Sequence, residues 1–446
     1  MAKQTHAQWS SRLTFILAAT GSAVGLGNIW KFPYMVGEGG GAAFVLVYLA
    51  CVAVVGLPIL VAEWLLGRRG QKNPVNTMLE VTRAEGRSRA WTLVGVSGVL
   101  AAFLILSFYS VIGGWSLSYT LQSVTGAFQG QDGDGISALF NGLLASPGIL
   151  LLWHSVFMLL TIAIVARGVK AGLEGAVRSL MPALALVLLV LVGYGVFSGH
   201  FGQALAFMFQ PDWSAIGGHM VLEAMGQAFF TLSLGMGVMM AYGSYLGTEV
   251  NLLATARTVI ILDTLFALLA GLAIFPIVFG NGLDPSAGPG LIFVTLPLAF
   301  GNMTGGMILG LLFFLLLTFA ALTSAISLLE PVVETLEERT RLSRMAATLV
   351  AGGAVWLLGI AALLSFNLWS GVSLAGLNIF DFLDKLTSKY LLPLTGLGAV
   401  LFVGWFLDRD RVIRELGLGR NGTLLWHIAS RYIAPIGVIA VFVSSL

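Results

Sequence analysis

The sequence predicts an all-α polytopic membrane protein of about 11 transmembrane helices, arranged as a 5+5 inverted repeat with helices 1 and 6 broken. Three observations predict it. Of 446 residues, 57% are hydrophobic and only 10% are charged, whereas a soluble domain carries roughly 25% charged residues. Apolar stretches of about 20 residues, the length that spans a bilayer, recur along the whole chain. Glycine-rich polar clusters interrupt two of these stretches, five spans apart.

The polar start, MAKQTHAQWSSR, lacks the regions of a removable signal peptide. The first span covers 12–36 and holds Gly21, Gly25, Gly27 and Asn28, followed by Trp30, Lys31 and Pro33. Such a run is poor material for a continuous helix. No strand precedes it and no GK[ST] follows, so it is not a phosphate loop. Span two (41–67) contains the single cysteine, Cys51, which can form no intrachain disulfide. Spans three (89–124) and four (148–166) are long and apolar; His154, alone in span four, reads as a bonded packing residue. In span five (173–198), Pro182 follows Gly172 by ten residues, and both weaken a helix. Span six (219–246) is interrupted by TLSLGMG at 231–237. Span seven (250–280) carries Asp263 among Ile, Leu and Phe, where an ionised carboxylate is expensive and a functional role is the default. Span eight (304–335) contains FAALTSAIS at 319–327. Spans nine (345–366), ten (380–408) and eleven (423–444) complete the set.

The connections alternate in charge. Arg68, Arg69, Lys72, Arg83, Arg87, Arg89, Arg167, Lys170, Arg257, Arg339, Arg341, Arg344, Arg409, Arg411, Arg414 and Arg420 fall in one set. The segments 125–147, 199–218, 281–303 and 367–379 contain no Lys or Arg. Positive loops stay in the cytoplasm, so the N-terminus is expected inside and, after eleven spans, the C-terminus outside. The expected location is the plasma membrane, of the bacterial inner-membrane kind. Lys385 and Lys389 lie at the outer end of span ten and can snorkel to water, whereas Lys31 sits deeper.

An offset of five spans makes matching helices cross the membrane in opposite directions. The chain therefore divides into a first repeat (1–198), an inverted second repeat (199–408) and a cytoplasmic loop with span eleven (409–446). Paired interruptions at corresponding positions point to a transporter's central site. Unwound backbone in lipid costs several kcal/mol per unpaired group. Freed carbonyls suit a hard cation, and half-helix N-termini suit a carboxylate.

The runs GSAVGLGNIWKFPY (21–34), GGGAAFVLVY (39–48), GLPILVAEWLLGRR (56–69), FFTLSLGMG (229–237) and FAALTSAIS (319–327), with Arg12, resemble the neurotransmitter:sodium symporter family. The resemblance covers essentially the whole chain through span ten. It implies two sodium ions. The first would be held by the Ala23 carbonyl, Asn28, Thr231, Asp263 and the substrate's own carboxylate. The second would use the carbonyls of Gly21, Val24 and Ala320 and the hydroxyls of Thr323 and Ser324, although those two hydroxyls could equally bond back to their own helix.

The resemblance also implies a substrate pocket formed by Ala23, Gly25, Gly27, Ile105, Tyr109, Phe230, Thr231, Ser233, Met236, Ala325 and Leu328. No charged side chain is among them, which argues for apolar amino acids, aliphatic and aromatic. Monoamine carriers of the family have aspartate at the position of Gly25, so a ligand bringing its own carboxylate fits here. Asp263 stands where many chloride-dependent relatives have asparagine, and Ala267 where they have serine, so transport is expected to be chloride-independent. We expect Asp263 to take up a proton on the empty return step, which would give proton counter-transport.

Lys31 and Asp384 match the family's outer gate, with Asp381 a competitor, and Tyr109 and Phe230 would close a lid. On the inner side, Trp9 and Tyr245 are packing candidates, and Glu338 takes the acidic role opposite His6 or Lys3. Unwinding across Gly172–Pro182 would let water reach the second ion. The expected partners are a small amino acid, sodium and the bilayer, with no nucleic acid; a monomer is compatible with the sequence. Competing readings are an ion channel, or a same-family carrier of another small zwitterion or osmolyte. An enzyme is not expected: His6, His154, His200, His219 and His427 form no metal spacing, and no nucleophile–base arrangement is visible.

Overall fold

A computed structural model describes residues 8–444 other than 287 and 289, and shows a helical bundle. Among the described residues, nine helices are long and apolar enough to cross a membrane: Ala42–Gly70, Arg89–Val124, Pro147–Val165, Val169–Phe197, Leu252–Gly280, Gly306–Arg339, Arg344–Leu364, Ile379–Phe406 and Arg420–Ala440. Arg12–Ala23 and Gly27–Glu38 form one more span, bent by 50° at its break. Gly218–Thr231 and Val238–Ser244, separated by an irregular stretch, form the interrupted sixth span. Taken so, the spans among the described residues are eleven.

Side-chain caps start many of these helices. Ser11, Asn251 and Ser343 accept from the backbone N–H three residues on, each bond stabilising a helix start by about 1 kcal/mol. Burial sorts the spans. In the third and eighth, 67% of the most apolar window is buried; in the fifth and eleventh only 28% is. The former pair forms the centre, where they pack along each other. The latter present Leu186, Leu189, Phe197, Ile436 and Ile439 outward, which suits a lipid solvent.

The structure adds short helices where the sequence predicts loops: Pro74–Ala84, Gly133–Ala145, Phe201–Phe209, Leu296–Asn302 and Arg409–Leu416. They are too short to span, so a search for bilayer-length apolar runs passes over them. Span five also begins earlier than expected, at Val169, because Val169–Glu174 winds as a wide, π-helical turn that continues the helix. His154 is fully buried, with Nε2 3.1 Å from the Trp356 carbonyl, a packing role between spans four and nine. On the basic face, Arg344 pairs with buried Glu330 and donates to the Val165 carbonyl, tying spans four, eight and nine together.

Candidate functional site

The two breaks meet at the middle of the bundle. In the first span, helix ends at Ala23 and resumes as a wide turn, Gly27–Lys31. In the sixth, the chain between Thr231 and Val238 passes through positive φ at Ser233 (53°), Gly235 (75°) and Gly237 (68°). Glycine is required at 235, because a Cβ there would run into the Leu392 carbonyl. Side chains satisfy the freed backbone. The Gly235 N–H donates to Glu63 at 2.7 Å, Gln227 donates to the Gly27 carbonyl at 2.7 Å, and the Leu26 N–H donates to the Tyr109 hydroxyl at 3.2 Å. Ser233 and Ser324 each donate to the Ser22 carbonyl at 3.0 Å. Unpaired backbone in this apolar setting would cost several kcal/mol per group, so these bonds hold the breaks open.

A narrow cavity of about 20 Å³ lies between them. Ala23, Gly25, Gly27, Ile105, Tyr109, Phe230, Ser233, Met236 and Leu328, all expected in the pocket, line it. Thr231 and Ala325 are buried next to it without lining it. Ser22, Leu26 and Ser324 line it as well. The wall is apolar except for the Tyr109 hydroxyl and the serines.

Beside the cavity, Asn28, Thr231 and Asp263 converge, each at most 1% exposed. Asn28 Nδ2 donates to Asp263 Oδ1 at 2.8 Å and to its carbonyl at 3.0 Å. Thr231 Oγ1 lies 3.0 Å from Asn28 Oδ1 and 3.1 Å from Asp263 Oδ1. The cluster combines amide, hydroxyl and carboxylate oxygens, a donor set that suits a hard cation. Part of the second expected set, Gly21, Ala320 and Thr323, also comes together. A Cβ on Gly21 would sit 3.6 Å from Thr323 Cβ. Thr323 donates to the Ala320 carbonyl at 3.0 Å, and Ser324 to the Ser22 carbonyl. Thr323 bonds back to its own helix, and Ser324 bonds across to span one.

Lys31 Nζ lies 4.7 Å from the Phe230 ring centre. It lines a wide vestibule of about 540 Å³ with Asp381 and Asp384, on the face whose loops lack Arg and Lys. Among the described residues, Lys31 and Asp384 make no ion pair; Asp384 accepts from Ser388 at 2.8 Å. On the opposite, basic face, Trp9 packs edge-on against Tyr242 and Tyr245 and donates to the Tyr242 carbonyl at 3.0 Å. The Tyr245 hydroxyl donates to Glu330 at 2.8 Å. Glu338 accepts from the Asn73 N–H at 2.9 Å and from Asn76 at 2.9 Å. His6 and Lys3 lie outside the described residues. Gly172 sits in the wide turn and Pro182 inside the continuing helix, so the stretch between them is wound.

Two side chains at the breaks escaped the sequence reading. Glu63 is 1% exposed in mid-span, and the rule that promoted Asp263 would have promoted it too. Gln227 gives no such signal, since its role depends on a carbonyl 200 residues away.

The profile of the Sodium:neurotransmitter symporter family matches residues 6–133 and 140–446. An uncharacterised sodium-dependent transporter of Bacillus subtilis, YhdH, is 37% identical across all of this chain and 98% of that protein. A sodium-dependent serotonin transporter of Drosophila melanogaster is 25% identical across all of this chain and 77% of that protein. The crystal structure of MhsT in complex with L-phenylalanine superposes with a TM-score of 0.91 at 45% identity, covering 99% of this chain and 100% of the other.

Proposed function

This chain belongs to the sodium:neurotransmitter symporter family, and on that premise we propose that it imports hydrophobic L-amino acids, aliphatic and aromatic, with two sodium ions and without chloride. Sodium-dependent transport of a small molecule across the membrane follows from the family. The substrate class rests on one observation: an apolar cavity, lined by Gly25 and without a charged side chain, that abuts the Asn28–Thr231–Asp263 oxygen cluster.

The parts take the following roles. The substrate carboxylate reaches the Tyr109 hydroxyl and the Leu26 amide, and completes the first ion's shell. An ion bonded directly to that carboxylate makes each ligand raise the other's affinity. The substrate side chain lies against Ile105, Met236 and Leu328, where flexible methionine adapts to bulky rings. Asp263 supplies the fixed negative charge that chloride supplies in other members. Lys31 swings from Phe230 toward Asp384 as the outer side closes. The two repeats, 1–198 and 199–408, rock around the site, and residues 172–182 unwind to wet the second ion. The basic face is cytoplasmic, so the N-terminus lies inside and the C-terminus outside.

The L-phenylalanine bound to MhsT, a 45% identical neighbour, supports this class. The decisive experiment is uptake into proteoliposomes under an imposed sodium gradient, competed by each of the twenty amino acids. Competition by leucine, phenylalanine and their like is expected. Competition confined to charged or hydroxylated amino acids, or uptake without saturation, would overturn the reading. Replacing chloride with gluconate should leave the rate unchanged.

A further inference from the structure

Glu174 is a buried carboxylate within the stretch 172–182, and the proposed cycle gives its side chain no part. It closes the wide turn Val169–Glu174 at the start of span five. Its two oxygens accept the Ser10 N–H at 2.8 Å and the Ser10 hydroxyl at 2.6 Å. Arg178, one helical turn on, donates to the same Ser10 oxygen at 2.7 Å and to Thr14 at 3.2 Å, and lies 3.4 Å from Glu174. The lead-in to span one is thus pinned to span five across 164 positions of sequence.

The turn that Glu174 closes is seated firmly. A Cβ on Gly172 would strike the Ile164 carbonyl, so span five starts in backbone contact with the end of span four. At the other end of the same stretch stands Met181, directly before Pro182 and 3% exposed. Its sulfur lies 3.0 Å from where a Cβ on Gly21 would sit. Gly21 is one of the carbonyl donors expected for the second ion. One short piece of helix therefore holds the N-terminal segment at Glu174 and covers the ion's neighbourhood at Met181.

We propose that Glu174 is the latch of inward opening: when it releases Ser10, the wide turn of span five and the lead-in of span one come free together, and Met181 leaves Gly21. This rests on the sodium-coupled cycle proposed above and adds the residue that joins two of its movements. The chemistry suits a reversible latch. Hydrogen bonds to a carboxylate are about twice as strong as neutral ones. Ser10 is exposed, so water replaces its bonds at modest cost when they break. The half-exposed Arg178 orients the carboxylate more than it stabilises it. Wide turns of this kind mark functional positions in helices and store no long ladder of regular bonds.

The test is amide hydrogen exchange of the purified full chain in sodium and in potassium, followed over residues 8–16 and 168–182. In the parent, sodium should slow both segments. Glu174→Ala should speed both, on the order of tenfold, without changing exchange over 150–160. Glu174→Gln keeps one acceptor, and Ser10→Ala keeps its N–H, so each should give a smaller rise in both segments. Acceleration of one segment without the other, or of neither, overturns the latch. If Glu174→Ala loosens every span, Ser10→Ala, a change at an exposed residue, decides alone by the same criterion. If the parent binds no hydrophobic amino acid and the two segments still respond together, the substrate assignment fails and the latch stands.

Discussion

At Gly25 a single added methyl group would strike the Ser324 hydroxyl and lie 2.9 Å from the Tyr109 hydroxyl. Ser324 would have to leave the Ser22 carbonyl, and Tyr109 would be crowded where the substrate carboxylate is proposed to bind. Gly25→Ala should therefore raise the KM for amino acid uptake by about tenfold, the cost of one disturbed hydrogen bond to a charged group. A KM unchanged within a factor of two would count against the proposed pose. Asp263→Asn keeps the hydrogen-bonding shape but removes the only charge in its cluster. We expect uptake in gluconate to fall sharply and chloride to restore part of it; loss that chloride cannot touch would mean that Asp263 does not replace an anion. Glu63→Ala leaves the Gly235 N–H buried without its acceptor. That costs about 1–3 kcal/mol, to be read as a lower melting temperature in detergent.

At the scale of the helix, the broken sixth span depends on backbone shape more than on side chains. Gly235→Ala meets both a φ of 75° and the Leu392 carbonyl, so span six should re-pack against span ten and sodium-dependent binding should be lost. Binding that survives would show that the break tolerates a regular turn. This element is legible in the amino-acid sequence, because glycines clustered with polar residues inside an apolar run have few other uses, and their recurrence five spans later marks the repeat. The spans are legible for a similar reason: the bilayer imposes one length and one polarity. The contacts that hold distant segments are not: Gln227 on the Gly27 carbonyl at a break, and Ser10 on Glu174 between spans one and five, join residues 200 and 164 positions apart, and no local pattern encodes such a partner. The wide turn at Val169–Glu174 is hidden too, since its composition reads as the frayed end of an ordinary helix.

Across the whole molecule, the number of charges moved per cycle distinguishes the coupling schemes that the oxygen clusters permit. A zwitterion adds no net charge, so two sodium ions carry two charges inward. Each gains about 2.3 kcal/mol across 100 mV, and two support roughly a thousandfold accumulation at full coupling. If Asp263 returns with a proton, one charge is cancelled and the voltage dependence halves. Proteoliposomes clamped with potassium and valinomycin separate the two cases. Steady-state accumulation should change tenfold for about every 30 mV if two charges move, and for about every 59 mV if one does. We expect the shallower slope in the parent. Asp263→Asn supplied with chloride should show the steeper one, provided that the anion does not travel with the substrate. An identical slope in parent and variant would place the exchanged proton on another group. Accumulation indifferent to voltage would require compensating charge on the empty carrier, and then neither oxygen cluster alone sets the stoichiometry.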